Sequence, residues 1–282
     1  MTFRKLTQSL FRRGKGLHSG VEYGLSIEPS DEALSLRADG GAFLPVSLLA
    51  LEGGGRGSDL IFPDGGRVRT CEHVLSALTG AGVWRARITV TGGAGDGEVE
   101  MPGLDGCAGD LAREIMEKSE PAYEGPEPLR LAFPVYAGDA GKNSRFLVAL
   151  PSSVFRLTYV IDYAAAPIGT QLFDYEGGPE EFLRDIAPAR TFAMRSDIEA
   201  LRAAGLALGG SPGNAIVVDD AGVETAGGLR FQDEFVRHKV LDLLGDLAAL
   251  GRPLVAHVAA VRAGHAQHLR LTEKLRVLSR GA

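Results

Sequence analysis

The stretch Glu234-Phe-Val-Arg-His-Lys-Val-Leu-Asp-Leu-Leu-Gly-Asp246 decides the fold of this chain, because it reads as one helix with two different faces. His238, Asp242 and Asp246 follow one another at a spacing of about one helical turn, so their side chains share one face. The opposite side carries an apolar stripe for packing, made of Val236, Val240, Leu243, Leu244 and Leu247. A histidine and a carboxylate one turn apart can hold one zinc ion together.

The same spacing also occurs on exposed helix faces that bind no metal. Such faces usually pair lysine with glutamate. Here aspartates and a histidine are gathered instead, and Gly245 leaves the backbone open to close approach. The pattern therefore favours a metal-binding face, with a solvated polar face as the alternative.

The length and composition are those of a globular protein with a sizeable core: 282 residues, of which 45% are hydrophobic and 23% charged. The chain is long enough for two modest domains or one large one. A formal net charge of −6 argues against a nucleic-acid partner, because such proteins carry a basic surface. A local basic site for a small phosphate ligand is still compatible with this charge.

The sequence contains no signal for a membrane or for secretion. No apolar run reaches the roughly 20 residues that span a bilayer, and basic residues interrupt residues 1–20, where a secretory signal would need an apolar core. We therefore expect a cytoplasmic protein without a transmembrane segment. Cys71 and Cys107 have no Cys-x-x-Cys spacing and are expected to be buried packing residues.

Proline and acidic residues at 120–128 form the clearest interruption in the sequence. We predict an α+β fold of two similar domains, 1–124 and 125–282. Each half begins with alternating segments that predict strands, such as 21–27 and 156–161.

Each half also carries a later apolar helix with a histidine in its first turns. The pairs are Glu72-His73 in the first half and Arg237-His238 in the second. This weak repetition predicts two α+β units that face one another, with a site between them.

Further short segments follow a fixed order through both halves, from about residue 7 to about residue 271. They are Gly16-Leu-His-Ser-Gly20, Glu72-His73, Pro102-Gly-Leu-Asp-Gly106, Ala189-Arg-Thr-Phe192, Gly205-Leu-Ala-Leu-Gly-Gly210, Ala215-Ile-Val-Val-Asp-Asp220, Phe235-Val-Arg-His-Lys239 with Asp242 and Asp246, and Gly264-His265. Each segment alone is a weak signal, but their order and spacing are specific. Together they resemble the UDP-3-O-acyl-N-acetylglucosamine deacetylases, zinc enzymes of lipid A synthesis in Gram-negative bacteria.

The resemblance implies helices packed between two β-sheets, with a small insert near the active site in each domain. The first insert would lie at about 43–67 and the second at about 191–220. The second insert would form an apolar passage for the acyl chain of the substrate, lined by Met194, Ile198, Leu201, Ala207, Ala215 and Val217. The packed core of a small β-α-β unit is the alternative interpretation of these side chains.

The resemblance also implies a metal site. His73, His238 and Asp242 would bind zinc and leave one coordination position for water, and iron(II) would suit the same ligands. Glu72 would take a proton from the attacking water. The alternative for Glu72 is a helix N-terminal acid that the macrodipole stabilises.

The remaining implied roles concern the acid and the substrate. His265 would act as an imidazolium on the oxyanion or the leaving amine, Asp246 would orient it and raise its pKa, and Thr191 would donate its hydroxyl to the oxyanion. The diphosphate and the sugar would be contacted by Lys239, Lys142, Arg262 and Phe192. For Phe192, core packing is the alternative. His18 would help to shape the site, whereas no chemistry is assigned to His257 or His268.

The sequence departs from the family pattern at a few positions. Ala165 stands where a histidine is common, Cys107 where a serine is common, and Ser58-Asp-Leu60 where the family has a Thr-Leu type of segment. The metal and acid-base residues are intact. We therefore predict a monomeric zinc amidase that removes acetate from UDP-3-O-(3-hydroxyacyl)-N-acetylglucosamine. The alternatives are deacetylation of another acylated amino sugar, and a divergent paralogue that binds a UDP-sugar or a lipid without turnover.

Overall fold

The structure is a computed structural model and describes residues 2–53, 57–93, 97–139, 141, 144–163 and 167–280. Two positions singled out above, Lys142 and Ala165, lie outside these described residues. Helices and several sheets combine in one core, so the predicted α+β class is confirmed. None of the described helices is long and apolar enough to cross a membrane.

The first part of the chain builds a five-stranded sheet and two helices. Its elements are β1 (Phe3–Leu6), β2 (Leu10–Lys15), β3 (Glu22–Pro29), β4 (Ser35–Ala38), β5 (Leu44–Pro45), a 3-10 turn (Val46–Leu48), β6 (Ala50–Glu52), β7 (Asp59–Ile61), β8 (Arg67–Arg69), α1 (Glu72–Gly80), β9 (Ala86–Gly92), β10 (Glu98–Glu100), α2 (Gly109–Glu117) and β11 (Ser119–Ala122). The sheet has the strand order β2-β3-β9-β4-β5. In β3, alternate residues Tyr23, Leu25 and Ile27 are buried, as the period of a half-buried strand requires.

The second part repeats this plan with a six-stranded sheet. Its elements are β12 (Leu129–Arg130), β13 (Val135–Gly138), β14 (Phe146–Pro151), β15 (Arg156–Tyr163), β16 (Gly169–Tyr175), α3 (Pro179–Glu181), a π-helical turn (Phe182–Ile186), β17 (Phe192–Met194), α4 (Arg195–Ala203), β18 (Ile216–Asp219), β19 (Gly222–Glu224), α5 (Glu234–Ala248), β20 (Leu254–Val261) and α6 (His265–Arg280). The order is β13-β14-β20-β15-β16, and β12 also pairs with β20. Leu157, Tyr159 and Ile161 alternate into the core from β15.

The central helices α1 and α5 share one apolar core with the two large sheets. That core contains buried side chains from both sheets and from the central helices α1 and α5, including Ile27, Ile88, Val74, Leu78, Val240, Leu243, Leu157 and Val258. The boundary between 124 and 125 stays a prediction. It falls between β11, which pairs with β1, and β12, which pairs with β20.

Both expected inserts are small sheets of their own. In the first insert (residues 43–67), β6 and β7 pair with each other and join β8 and β10 in a four-stranded sheet. In the second insert (residues 191–220), β17 and β18 are parallel and α4 connects them, and β19 completes a three-stranded sheet. The second insert is therefore a small β-α-β unit.

The structure excludes the solvated alternative for the polar face of α5 and corrects the position of His238 on that helix. The polar face of α5 does not meet solvent, since His238, Asp242 and Asp246 are each at most 2% exposed; α1 and α6 pack beside this helix. His238 is the fifth residue of α5 and therefore lies beyond its first turn. His265 is the first residue of α6.

Candidate active site

Three side chains from the two halves meet at the crossing of α1 and α5. The Oδ1 atom of Asp242 lies 3.2 Å from His238 Nε2 and 3.6 Å from His73 Nε2. One ligand atom from each of the three residues lies within 4.8 Å of the other two. The structure thus brings together the three residues that the sequence predicts as metal ligands.

The hydrogen bonds around this group fit a divalent metal ion. His238 Nδ1 lies 3.0 Å from the backbone oxygen of Ala189, so Nδ1 carries the proton and Nε2 keeps a free lone pair. Asp242 Oδ1 is buried and has no hydrogen-bond partner among the described residues. A buried anionic oxygen without a partner is costly unless a cation binds to it.

The charge state of Asp242 agrees with this role. Burial alone would raise the pKa of its carboxyl, but the neighbouring basic groups, Lys239 and His265 among them, outweigh burial and hold the pKa well below its ordinary value. Lys239 Nζ donates to Asp242 Oδ2 at 2.5 Å. The carboxylate is therefore ionised and keeps Oδ1 directed at the two histidines.

Gly245 allows the two halves to approach closely enough to form this group. A Cβ atom at Gly245 would lie 2.0 Å from the backbone oxygen of Glu72 and 2.8 Å from its Cα. The first residue of α1 therefore rests on the backbone of α5. This contact places His73, the next residue, beside His238, with ring centroids 5.1 Å apart.

Gly245→Ala is expected to lower the free energy of unfolding by about 1 to 3 kcal/mol and to weaken metal binding, because the methyl group forces α1 away from α5. Urea unfolding and a metal titration measure the two effects. Gly213→Ala is the matched control, since a Cβ there would meet its nearest neighbour, Ser211 Oγ, at an ordinary 3.5 Å. Equal stability and equal metal affinity in the two variants would contradict the proposed helix contact.

Glu72, at the start of α1, is 2% exposed and lies beside the metal-binding group. A carboxylate oxygen of Glu72, one of Asp242 and a ring nitrogen of His265 lie within 4.8 Å of one another. The backbone N–H of Ser58 donates to Glu72 Oε2 at 2.9 Å. Burial raises the pKa of Glu72, which is the direction that makes a carboxylate a better proton acceptor.

His265 and Asp246 form a second polar group on the other side of Glu72. His265 Nδ1 lies 2.9 Å from Asp246 Oδ2, and His265 Nε2 lies 3.6 Å from Asp242 Oδ2. Burial alone would lower the pKa of His265, but the carboxylates of Asp246 and Asp242 outweigh it and raise the pKa to about 9. His265 is therefore an imidazolium near neutral pH.

The structure adds residues to this second group that sequence reasoning missed. His268 is fully buried, and its Nδ1 lies 2.8 Å from Asp246 Oδ2 while its Nε2 lies 2.8 Å from the hydroxyl of Tyr159. Ser58 Oγ contacts both Asp246 and His265. The spacing of His265 and His268, close to one helical turn, was a signal that could have found His268.

A buried ion pair positions the loop that carries Thr191 and Phe192. The guanidinium of Arg190 donates from Nε to Glu234 Oε1 at 2.8 Å, and both side chains are at most 3% exposed. The same guanidinium donates to the backbone oxygen of Gly228 at 2.7 Å. Sequence reasoning quoted Arg190 in a motif but gave it no role. Its contacts fix the loop next to the metal-binding group.

A cavity of about 940 Å³ opens onto this site. The predicted substrate-contacting side chains that line it are Lys239, Phe192, Arg262, Met194, Ile198, Leu201, Ala207, Ala215 and Val217, together with Thr191 and His18. The ring of Phe192 also packs 5.1 Å from that of Phe235 and 5.8 Å from that of Tyr163. Arg262 is ion-paired with Asp162 at 3.3 Å. The second insert thus supplies an apolar wall, and α5 and the residue after β20 supply basic groups.

The remaining histidine and both cysteines lie apart from this chemistry. His257, on β20, is partly buried and lies 2.9 Å from the hydroxyl of Thr158. Cys71 and Cys107 are free and buried, as expected.

Comparison with known proteins identifies the family. The model of the family described as LpxC, UDP-3-O-acyl N-acetylglycosamine deacetylase, matches residues 4–277. A protein of Myxococcus xanthus is 37% identical and the match covers 96% of this chain and 85% of that protein. One of Chlamydia muridarum is 36% identical with coverage of 96% and 94%, and one of Anaeromyxobacter dehalogenans is 39% identical with coverage of 93% and 83%. All three are named UDP-3-O-acyl-N-acetylglucosamine deacetylase. The chain therefore belongs to the LpxC family of deacetylases.

Proposed function

We propose that this chain is a zinc-dependent amidase that removes the acetyl group from UDP-3-O-(3-hydroxyacyl)-N-acetylglucosamine, the committed step of lipid A synthesis. The observation that carries the proposal is the meeting of a metal-binding group, an acid-base pair and an apolar wall in one cavity. The names of the relatives point to the same substrate. The cytoplasmic location and the monomeric state stay predictions.

His73, His238 and Asp242 would hold the metal. A zinc ion there would supply Lewis-acid polarisation of the amide carbonyl and a water molecule of lowered pKa. Iron(II) suits the same set of two histidines and one carboxylate. The choice of zinc over iron(II) is part of the proposal.

Glu72 would take the proton of the attacking water. Its burial raises its pKa and makes it more basic than an exposed glutamate. The Ser58 N–H occupies Oε2, which leaves Oε1 as the atom that receives the proton. Removal of this proton would make the water oxygen a nucleophile that attacks the carbonyl carbon of the acetyl group.

His265 would give a proton to the departing amine. Its Nδ1–H points at Asp246, so the proton on Nε2 faces the centre of the site. The Thr191 hydroxyl, which lines the same cavity, would donate to the oxygen on which negative charge develops. Together these groups supply a base on one side of the amide and an acid on the other.

The rest of the cavity would hold the remainder of the substrate. Met194, Ile198 and Val217 belong to the apolar wall, where the acyl chain would lie. Lys239 is ion-paired with Asp242, and Arg262 with Asp162. Each basic side chain would turn from its carboxylate toward the diphosphate of the substrate. Phe192 would cover the sugar from its place above Phe235. The predicted contact of Lys142 with the diphosphate is also part of this proposal.

The experiment compares acetate release from UDP-3-O-(3-hydroxyacyl)-N-acetylglucosamine and from UDP-N-acetylglucosamine, with the zinc-loaded protein. The acylated substrate should be hydrolysed at least about 100-fold faster, since binding energy from the acyl chain is used at the reacting centre. Equal rates on the two compounds would contradict the role of the apolar wall. No release from either, with zinc bound, would favour another acylated amino sugar or a protein without turnover.

A further inference from the structure

We infer that Ser58 is a positioning residue that fixes the general base, Glu72, and the general acid, His265, relative to each other. The inference rests on the proposed function, because it assigns a task within the same reaction. It concerns a residue of the first insert that the predicted metal and acid-base set does not include. Ser58 is 5% exposed and directly precedes β7.

The backbone of Ser58 binds the base. Its N–H donates to Glu72 Oε2 at 2.9 Å, and its carbonyl accepts from the N–H of Cys71 at 2.9 Å. The preceding residue, Gly57, passes so near that a Cβ atom there would lie 2.9 Å from Glu72 Oε1. The chain at Ser58 is therefore fixed to the beginning of α1.

The hydroxyl of Ser58 binds the acid. Ser58 Oγ donates to Asp246 Oδ1, so its one proton is used there, and the same oxygen lies 3.1 Å from His265 Nδ1. His265 Nδ1 must then be the donor, with Asp246 Oδ2 and Ser58 Oγ as its acceptors. The proton on Nδ1 is thereby fixed, and Nε2 remains the atom that faces the substrate.

These contacts make Ser58 a bridge between groups from different parts of the chain. Glu72 comes from α1, Asp246 from α5 and His265 from α6. His268 also contacts Asp246 Oδ2, but it does not contact Glu72 in any described hydrogen bond. Ser58 is thus placed to set the distance between the proton acceptor and the proton donor.

The test compares Ser58→Ala and Ser58→Thr in the zinc-loaded, full-length protein. Ser58→Ala should lower kcat by about 10- to 100-fold with KM and zinc content unchanged, as loss of an outer hydrogen bond at a metal site typically does. Ser58→Thr keeps the hydroxyl and should restore kcat close to the wild-type value. Ser76→Ala is the matched control, because Ser76 is a buried serine of α1 whose hydroxyl has no partner among the described residues.

A second readout does not depend on turnover. The Nδ1 proton of His265 should give a downfield NMR signal that shifts in Ser58→Ala, while the signal of the His238 Nδ1 proton, bonded to Ala189, stays in place. An unchanged kcat in an active enzyme, or an unchanged His265 signal, would overturn the inference. A zinc-loaded wild type that releases no acetate would instead count against the proposed function, and the NMR signal would still decide the role of Ser58.

Discussion

Replacing His238 by alanine should remove the bound metal and the deacetylase activity together. His238 Nε2 lies 3.2 Å from Asp242 Oδ1, and its Nδ1 is already used by Ala189, so no second orientation of the ring could serve the metal. The side chain is 2% exposed, and its loss would leave two ligands for a metal that needs three from the protein. Activity should fall on the order of 1,000-fold or more, beyond the 10- to 100-fold that loss of an outer partner causes.

Metal content by elemental analysis and acetate release by a coupled assay measure the two effects. His257→Ala is the matched control, since His257 is a partly buried histidine that contacts only Thr158 among the described hydrogen bonds. The control should retain both metal and activity. A His238→Ala protein with a full equivalent of metal and an undiminished rate would show that the metal-binding group is assigned wrongly.

The variant His265→Ala should keep the metal and lose about 10²- to 10⁴-fold in kcat, the range expected for a missing general acid. His265 is not one of the three residues to which we assign the metal, so the metal affinity should stay close to that of the wild type. What disappears is the proton donor that Asp246 holds at 2.9 Å and that Asp242 and Asp246 keep charged near neutral pH. The leaving amine would then depart without a positioned proton.

Asp246→Asn tests the same group by weakening the acceptor of the His265 Nδ1–H hydrogen bond. The amide cannot accept from Nδ1–H of His265 and His268 with the strength of a carboxylate, so the imidazolium of His265 loses its stabilisation and its fixed orientation. The expected result is a retained metal with a loss of kcat similar to that of His265→Ala. Unchanged turnover in both variants would remove His265 and Asp246 from the chemistry.

The local spacing in α5 predicted a large part of the site. His238, Asp242 and Asp246 are separated by single turns, and the helix does present all three in one direction. A glycine at position 245, among bulky neighbours, also indicated that a second backbone approaches closely there. The local sequence could not show which backbone approaches Gly245, because Glu72 and His73 are far away in sequence. The weak repetition of a histidine on one helix of each half and the ordered set of motifs shared with the family related them.

The contacts that cross the fold escaped prediction for a physical reason. Ser58, Tyr159 and His268 converge on the acid group from the first insert, β15 and α6, and for Ser58 and Tyr159 no periodic pattern marks the residue as polar and functional. The local pattern of α5 favoured a metal-binding face but could not exclude a solvated one, because its neighbours α1 and α6 are supplied by other parts of the chain. Tertiary packing, rather than local propensity, decides such features.

The most direct test of a metal-dependent deacetylase at His73, His238 and Asp242 is acetate release from UDP-3-O-(3-hydroxyacyl)-N-acetylglucosamine, measured after chelation and again after one equivalent of zinc is added back. Activity should disappear with the chelator and return with zinc, since the buried Oδ1 of Asp242 has no other described partner. The His238→Ala protein should show no return. Activity that survives complete removal of the metal would contradict the assignment.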